Sequence, residues 1–512
     1  MNEKTEKNTE MKPVRPEIII GLVGAVGVDF DFITRALKEK LKTIGYKTNY
    51  IKLSDQIKEF NPYIPDSKIK INEKPEYKRV ENLMDAGDNI RAFSGRGDAV
   101  VLLALLKLSE MRKKDERPNF NTVSILKSLK HPEEVYTLRR IYGPGFFLIG
   151  IHSSREKRKK ALSKKIARSQ SNSRKQREYY SFAEKLMNRD EKGKTDFGQD
   201  GSGTFHLSDF FVSLDDEKRA KKDIERFIEL IFENPHITPT KDEYSMFVAY
   251  AASLKSGDLS RQVGAAISNK QGDILSTGTN DVPSPEGGLY WEDSEKRDRD
   301  FERGGDSNKE EINNMIEGIE NKLIKELGEK LRNADLREIL RNTDIKNITE
   351  FGRSVHAEMD ALTQAARLGT SIKNATLFTT LFPCHNCTKH IIASGIKRVV
   401  YIEPYLKSLA TQLHEDAITV DEAKAGKVRF EPFIGVSPNR FSDLFSVKRR
   451  TGKELKRKDD KTGKVIEWQR DKSWPRIPLV ATTYLDLEMV GLKVLIDIFE
   501  GKKKIEKKKK NK

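Results

Sequence analysis

Hydrophobic and polar positions fall into two series of strands and helices. The run Glu17-Ile18-Ile19-Ile20-Gly21-Leu22-Val23 is short, apolar and closed by glycines, the pattern of a buried strand. It leads through Gly24-Ala25-Val26-Gly27-Val28-Asp29 into an amphipathic period over 30–44, which predicts a helix. A second strand is predicted over 46–53, with helices over 76–93 and 98–112. Strand 122–126, helix 131–142, strand 146–151, strand 207–212 and helix 216–232 complete the series. Strands alternating with helices predict a parallel, doubly wound sheet.

Composition shifts at Glu233-Asn234-Pro235-His236-Ile237-Thr238-Pro239, which reads as a linker. A second α/β series follows: helix 241–255, then strands 263–268 and 273–279 about the turn Asn269-Lys270-Gln271-Gly272. A charged stretch over 284–350, with a solvent-facing helix at 308–332, interrupts it. Helix 356–368, strand 376–380, helix 385–395, strand 397–402 and a strand near 428–430 resume it. Residues 440–512 are charged, with one amphipathic helix near 485–499. The expected organisation is a disordered 1–16, a domain over 17–232, a linker over 233–240, a domain over 241–439 interrupted at 284–350, and a C-terminal extension over 440–512.

Composition adjusts this picture in three ways. A length of 512 residues suits a few domains at about 100–200 residues each. No run of about 18 apolar residues occurs, and the first twenty residues lack a signal-peptide pattern, so neither a membrane span nor secretion is expected. Two cysteines cannot form a disulfide framework, which points to a reducing, cytoplasmic setting. The net charge of +17 suggests nucleic acid, but it is concentrated. Residues 155–178 hold eleven Lys/Arg against two Glu, and 501–512 hold eight Lys against one Glu. The tail reads as a solvated, disordered lysine run, with a nucleic-acid arm or a contact for a nucleic-acid regulator as the alternative. The 155–178 block reads as a pair of helices.

Four residues carry chemistry: His356 and Glu358 in Val355-His356-Ala357-Glu358, and Cys384 and Cys387 in Pro383-Cys384-His385-Asn386-Cys387. A catalytic zinc takes three N/S ligands and keeps a position open for water. Cys-x-x-Cys at the start of a helix puts both sulfurs on one side, where free N–H groups favour thiolates. His356 completes the set. Glu358, two residues on, can face the water, take its proton and pass it to a ring nitrogen and then to a leaving amine. This H-x-E…P-C-x-x-C spacing is the signature of zinc-dependent nucleobase deaminases. A structural zinc site with His385 or His390 as fourth ligand and a thioredoxin-like redox pair are the competing readings. The first lacks a third cysteine, and the second needs no His-x-Glu upstream.

The chain resembles the deoxycytidylate deaminase family over about 240–435. The resemblance is carried by Tyr250-Ala251-Ala252-Ser253-Leu254-Lys255, Ser260-Arg261-Gln262-Val263-Gly264-Ala265-Ala266-Ile267, Gly278-Thr279-Asn280-Asp281-Val282-Pro283, Gly352 to Met359, and Ser394 to Tyr401. It implies a cytidine-deaminase-like α/β/α sandwich and a hydrolase acting on a deoxycytidine nucleotide, dCTP or dCMP, with release of ammonia. It also implies one zinc on His356, Cys384 and Cys387, and Glu358 as the proton shuttle. Asn280 would hold the substrate, with Arg261 near its phosphate, and a homo-oligomer is expected. A nucleotide-kinase-like domain ahead of this deaminase resembles the bacterial anti-phage dCTP deaminases, which implies dCTP depletion as defence.

In the first domain, Gly21, Gly24 and Gly27 suggest a phosphate-binding loop on a P-loop kinase-like sheet. Laid on G-x-x-x-x-G-K-[ST] from Gly24, the chain has Asp29, Phe30 and Asp31 where Gly, Lys and Ser/Thr belong, which argues against an active kinase. Ser128 to Glu134 and Arg155-Glu156-Lys157-Arg158 resemble a nucleoside-monophosphate kinase's substrate segment and arginine-bearing lid. Arg155 and Arg158 then become candidates for meeting a regulatory nucleotide. Two alternatives stand beside the leading reading: a deaminase of single-stranded DNA or RNA, which the basic block would suit, and a nucleotide-sensing P-loop protein with a regulatory deaminase module.

Overall fold

The computed structural model describes residues 15–510 except 65, 66, 68, 113–117, 172, 192–197, 329–335, 349, 405–407, 421–425, 449–453 and 477–482. They form two compact units, Met1–Pro239 with Ile434–Lys512, and Thr240–Phe433. Of the stretch expected to be disordered, 1–14 lies outside the described residues, whereas Arg15 and Pro16 are buried. The described strands up to residue 279 are β1 (Ile18–Gly24), β2 (Lys47–Lys52), β3 (Thr122–Leu129), β4 (Phe146–His152), β5 (Phe210–Ser213), β6 (Gly264–Ser268) and β7 (Ile274–Thr279). Those after it are β8 (Thr376–Leu381), β9 (Arg398–Glu403), β10 (Ile418–Thr419), β11 (Val428–Pro432) and β12 (Gly435–Val436).

The first unit is built on a sheet of order β12-β5-β4-β1-β3-β2. β1 to β5 run parallel, and β12 joins β5 antiparallel. β1 is buried on both faces, as its unbroken apolar run requires. Ile18, Ile20 and Leu22 point into one core with Ile33 and Phe227, and Ile19 and Val23 into the other with Leu103 and Leu148. The chain crosses to opposite sides of β1 before and after β3, so β1 marks the switch point of the sheet.

The segment expected as a separate extension, 440–512, falls within this unit. β12 brings the chain onto the first sheet, and Trp468 Nε1 donates to Phe232 O at 3.0 Å. The helix Thr483–Lys510 then covers Ala99–Met111, a helix apolar on all sides that needs a partner on its outer face. Leu492 and Leu495 join Leu102 and Leu105 in one core cluster. A buried pair of ion bridges, Glu17–Arg112 at 3.1 Å and Arg112–Glu488, ties that helix down. The helix continues to Lys510, so the lysine run expected as disordered chain is helical up to that residue. Lysine and glutamate are good helix formers, and the one glycine of the run, Gly501, lies within the helix.

The second unit has the order β10-β11-β9-β8-β6-β7, with β6 antiparallel to both neighbours and β8 to β11 parallel. Two glycines set its thickness. A Cβ on Gly264 would lie 1.9 Å from Ala249 O, in the helix Lys241–Ser253. One on Gly278 would lie 2.1 Å from Ala357 O and 2.3 Å from Ala361 N, in the helix Ala357–Arg367. Gly278 pairs with Ala265, the neighbour of Gly264, so these helices cover opposite faces of the sheet. The helix His385–Ala393 shares the Gly278 face, where Cys387 and Ile391 pack with Ala357 and Ala361. The 284–350 interruption is ordered through helices Asp300–Arg303, Ser307–Leu327 and Leu336–Arg341.

Gly278→Ala forces this helix off the sheet. It is expected to lower the stability of the second unit by about 1–3 kcal/mol, the usual range for overpacking, measured by urea unfolding. An unchanged midpoint would mean that the close approach is not a constraint.

Candidate metal centre and active site

Two helix starts converge on the Gly278 face. His356 is the N-cap residue of Ala357–Arg367 and Cys384 that of His385–Ala393. A bridge between Asp281 and Val355, with Val355 N donating to Asp281 O at 3.0 Å, fixes the chain just before His356. β8 delivers Cys384, whose Sγ accepts from Cys387 N at 3.4 Å. His356 Nδ1 lies 3.3 Å from both sulfurs. The three donor atoms lie within 4.8 Å of one another, the one group of this kind among the described residues.

This donor set fits zinc. One imidazole nitrogen and two sulfurs, held by two helix N-termini whose positive ends stabilise thiolate, are the ligand types the ion prefers, and three of them leave a position open. The Cys384 thiol is held down to about 4, chiefly by its hydrogen bond with Cys387 and then by His356. His356 is raised to about 9 by its hydrogen bond to Cys384. The Cys387 thiol is pushed up, because it donates to the Cys384 sulfur and is buried. Among the described residues neither His385 nor His390 joins the cluster, so the four-ligand structural site is not formed.

The cluster opens into a cavity of about 330 Å³ lined by Asn280, Arg261, Glu358, Phe382, Ser354 and His385, among others. Glu358 is 4 % exposed, and burial raises its carboxyl above the ordinary range. That suits a group which must both take and return a proton near neutrality. Arg261 lies at the surface, 3.4 Å from Glu403. Asn280 uses its amide as a brace: Oδ1 accepts from Val263 N at 2.7 Å, and Nδ2 donates to Arg261 O at 2.8 Å. One amide N–H and one lone pair remain for a ligand.

The sequence reasoning missed Asp258, Asp300, Asp306 and Asn308, which also line the cavity. The last three come from the charged interruption, so that segment is part of the site wall. Asp300 is anchored by Arg353 Nη1 at 2.9 Å, and Asn308 accepts from Phe351 N at 3.2 Å. The helix-start signature Asp306-Ser307-Asn308 was the available signal, although it marks a helix and not a cavity. His385 Nδ1 is buried with no hydrogen-bond partner among the described residues, although the residue lines the cavity.

The candidate nucleotide residues of the first unit are engaged within the protein. Gly21 lies inside β1, where a Cβ would meet Leu129 at 2.5 Å, and Gly24 ends the strand. Gly27 has φ +95° and packs against the Arg158 backbone. Arg158 is buried and donates to Ser153 O at 3.1 Å, and Arg155 donates to Asn188 Oδ1 at 2.5 Å.

The chain matches the cytidine and deoxycytidylate deaminase zinc-binding region over residues 239–403, so its second unit carries a deaminase domain. Deoxycytidylate deaminase of Enterobacteria phage T4 is 36% identical over 163 residues, 31% of this chain and 77% of that protein. The Homo sapiens deoxycytidylate deaminase is 25% identical over 201 residues, 39% of this chain and 78% of that protein. The dCMP deaminase of cyanophage S-TIM5, solved with dCMP and dUMP, aligns at 22% identity and TM-score 0.24 over 39% of this chain and 100% of its own. The chain belongs to the deoxycytidylate deaminase family.

Asn280→Ala removes both braces at once and leaves the buried Val263 N–H without an acceptor. A loss of about 1–3 kcal/mol in the urea stability of the second unit is expected. If stability is unchanged, Asn280 does not hold the wall of the cavity.

Proposed function

We propose that the second unit hydrolyses the exocyclic amine of a deoxycytidine nucleotide, giving the deoxyuridine nucleotide and ammonia. The observation that carries this reading is the buried Glu358 on the wall of the same cavity as the His356, Cys384 and Cys387 cluster. His356, Cys384 and Cys387 would hold zinc, which when bound acidifies water and orients it. Glu358 takes a proton from the attacking water, delivers it to the ring nitrogen and passes a proton to the departing ammonia. Phe382, braced edge-on by Tyr401 at 4.9 Å, offers an aromatic wall to the base. Asn280 has an amide N–H left for the sugar or base edge. Arg261 is the one guanidinium among the described lining residues and is the group within reach of a phosphate.

Family membership supports deamination of a nucleotide. The finer reading, dCTP drawn down as a defence against phage, rests on the resemblance of the whole arrangement to bacterial anti-phage dCTP deaminases. A polynucleotide substrate is less well supported. The basic block that favoured it belongs to the other unit, and two of its cations, Lys157 and Lys159, are spent on Asp215, Glu156 and Glu184.

Incubating the purified protein with dCMP, dCTP, CMP and a cytosine-containing oligonucleotide, and measuring uracil formation, tests this. Uracil from the free deoxynucleotides is expected, and uracil from the oligonucleotide alone would overturn the proposal. Glu358→Gln is expected to lower turnover by about 10²–10⁴-fold, the usual range for general acid–base catalysis, with zinc retained. Stoichiometric loss of zinc from that variant would make Glu358 a ligand instead.

A further inference from the structure

The loop that follows β1 is filled from within. In open parallel sheets an anion settles at the switch point, on free loop amides and the start of the next helix. Here three of those amides already have carboxylate partners. Asp29 Oδ1 accepts from the amides of Asp31 and Phe32 at 3.0 and 3.2 Å, capping the helix Phe30–Thr43. Asp190 reaches in from the end of the helix Tyr180–Glu191. Its Oδ2 accepts from Val26 N at 2.7 Å, and its Oδ1 from Lys130 Nζ at 2.8 Å. Lys130 Nζ also donates to Gly24 O at 3.0 Å. Asp190 is 2 % exposed and Lys130 8 %, so the pair is sealed from water.

The helix Arg155–Ser169, which carries most of the basic block, and the helix Tyr180–Glu191 hold the same loop residue from other sides. Arg158 Nη1 donates to Val26 O at 3.4 Å. The Val26 side chain packs against Leu162, Ile166, Ala183, Leu186 and Met187, which form their own small core. Val26 is thus gripped at its N–H, its carbonyl and its side chain by one helical layer.

We infer that Val26 N–H and Lys130 Nζ form an oxyanion cradle for a phosphate group, and that the carboxylate of Asp190 is its resident occupant. Two carboxylate oxygens sit on one amide and one ammonium, the donors that two oxygens of a phosphate would use. A pyrophosphate or nucleotide tail enters only when the end of Tyr180–Glu191 withdraws. The helices Arg155–Ser169 and Tyr180–Glu191 therefore form a latch closed by the chain's own anion. Because it involves none of the residues of the second unit, the inference stands or falls apart from the deamination reading.

Sodium pyrophosphate is the probe, at constant ionic strength, with thermal unfolding as the readout. Asp190→Ala removes the occupant, and its melting temperature is expected to rise by about 3–8 °C at saturating pyrophosphate. The unaltered chain and the Lys130→Met/Asp190→Ala double variant are expected not to shift. An equal rise in the unaltered chain would overturn the inference, as would a folded Asp190→Ala that does not respond. Hydrogen exchange on the unaltered chain gives a readout that does not depend on the variants folding. The Val26 amide is expected to be protected before any anion is added, and protection that appears only with pyrophosphate would overturn the inference.

Discussion

The contact between Gly278 and the helix Ala357–Arg367 is the constraint on which the second unit depends. With no side chain at Gly278, the helix backbone comes down onto β7 until Ala357 O and Ala361 N occupy the space of a methyl group. That depth places the first turn of the helix, and with it His356 and Glu358, beside the Cys384 turn. The Asp281–Val355 bridge fixes the approach from the other side. Misplacement by about 1 Å at a catalytic site can cost orders of magnitude in rate.

The same packing sets the electrostatics of the site. Two helix N-termini point at the sulfurs, and their unpaired N–H groups lower the cost of a thiolate in a half-buried place. Glu358, in the first turn of the same helix, is buried, and burial favours its protonated form. The site thus holds a low-lying thiol and a raised carboxyl on neighbouring backbone, and burial and hydrogen bonding account for the difference. Groups pushed apart in this way are what proton transfer at neutral pH requires.

Much of this was legible in the sequence, for identifiable reasons. His356, Glu358, Cys384 and Cys387 lie close together along the chain and on helix starts, so spacing alone brought them together. A helix was predicted over 98–112, but its cover was out of reach. Leu492 and Leu495 lie nearly four hundred residues away, in an amphipathic helix read as part of a separate C-terminal extension. Asp300, Asp306 and Asn308 were hidden for a related reason. A charged insertion reads as solvent-facing, and nothing periodic in it says that one end folds back over a cavity. The glycines were visible, yet only the three-dimensional approach shows which of them admit a helix.

Asp190 shows why a motif is weaker evidence than the pairing of its polar groups. Gly24 and Gly27 after a buried strand suggested a cradle for phosphate, and the loop does stand at the switch point of its sheet. Its donors, however, are satisfied by Asp29 and by Asp190, which enters from about 165 residues further along the chain. In the second unit the reverse holds. Among the described residues, His385 keeps a buried nitrogen without a partner beside an open cavity, and Asn280 keeps capacity after bracing its neighbours. Leaving a buried polar group unpaired costs about 1–3 kcal/mol, so a fold tolerates it chiefly where something else arrives to pair with it. By that criterion the second unit is organised to receive a ligand, and the loop of the first is organised around an anion the chain already supplies.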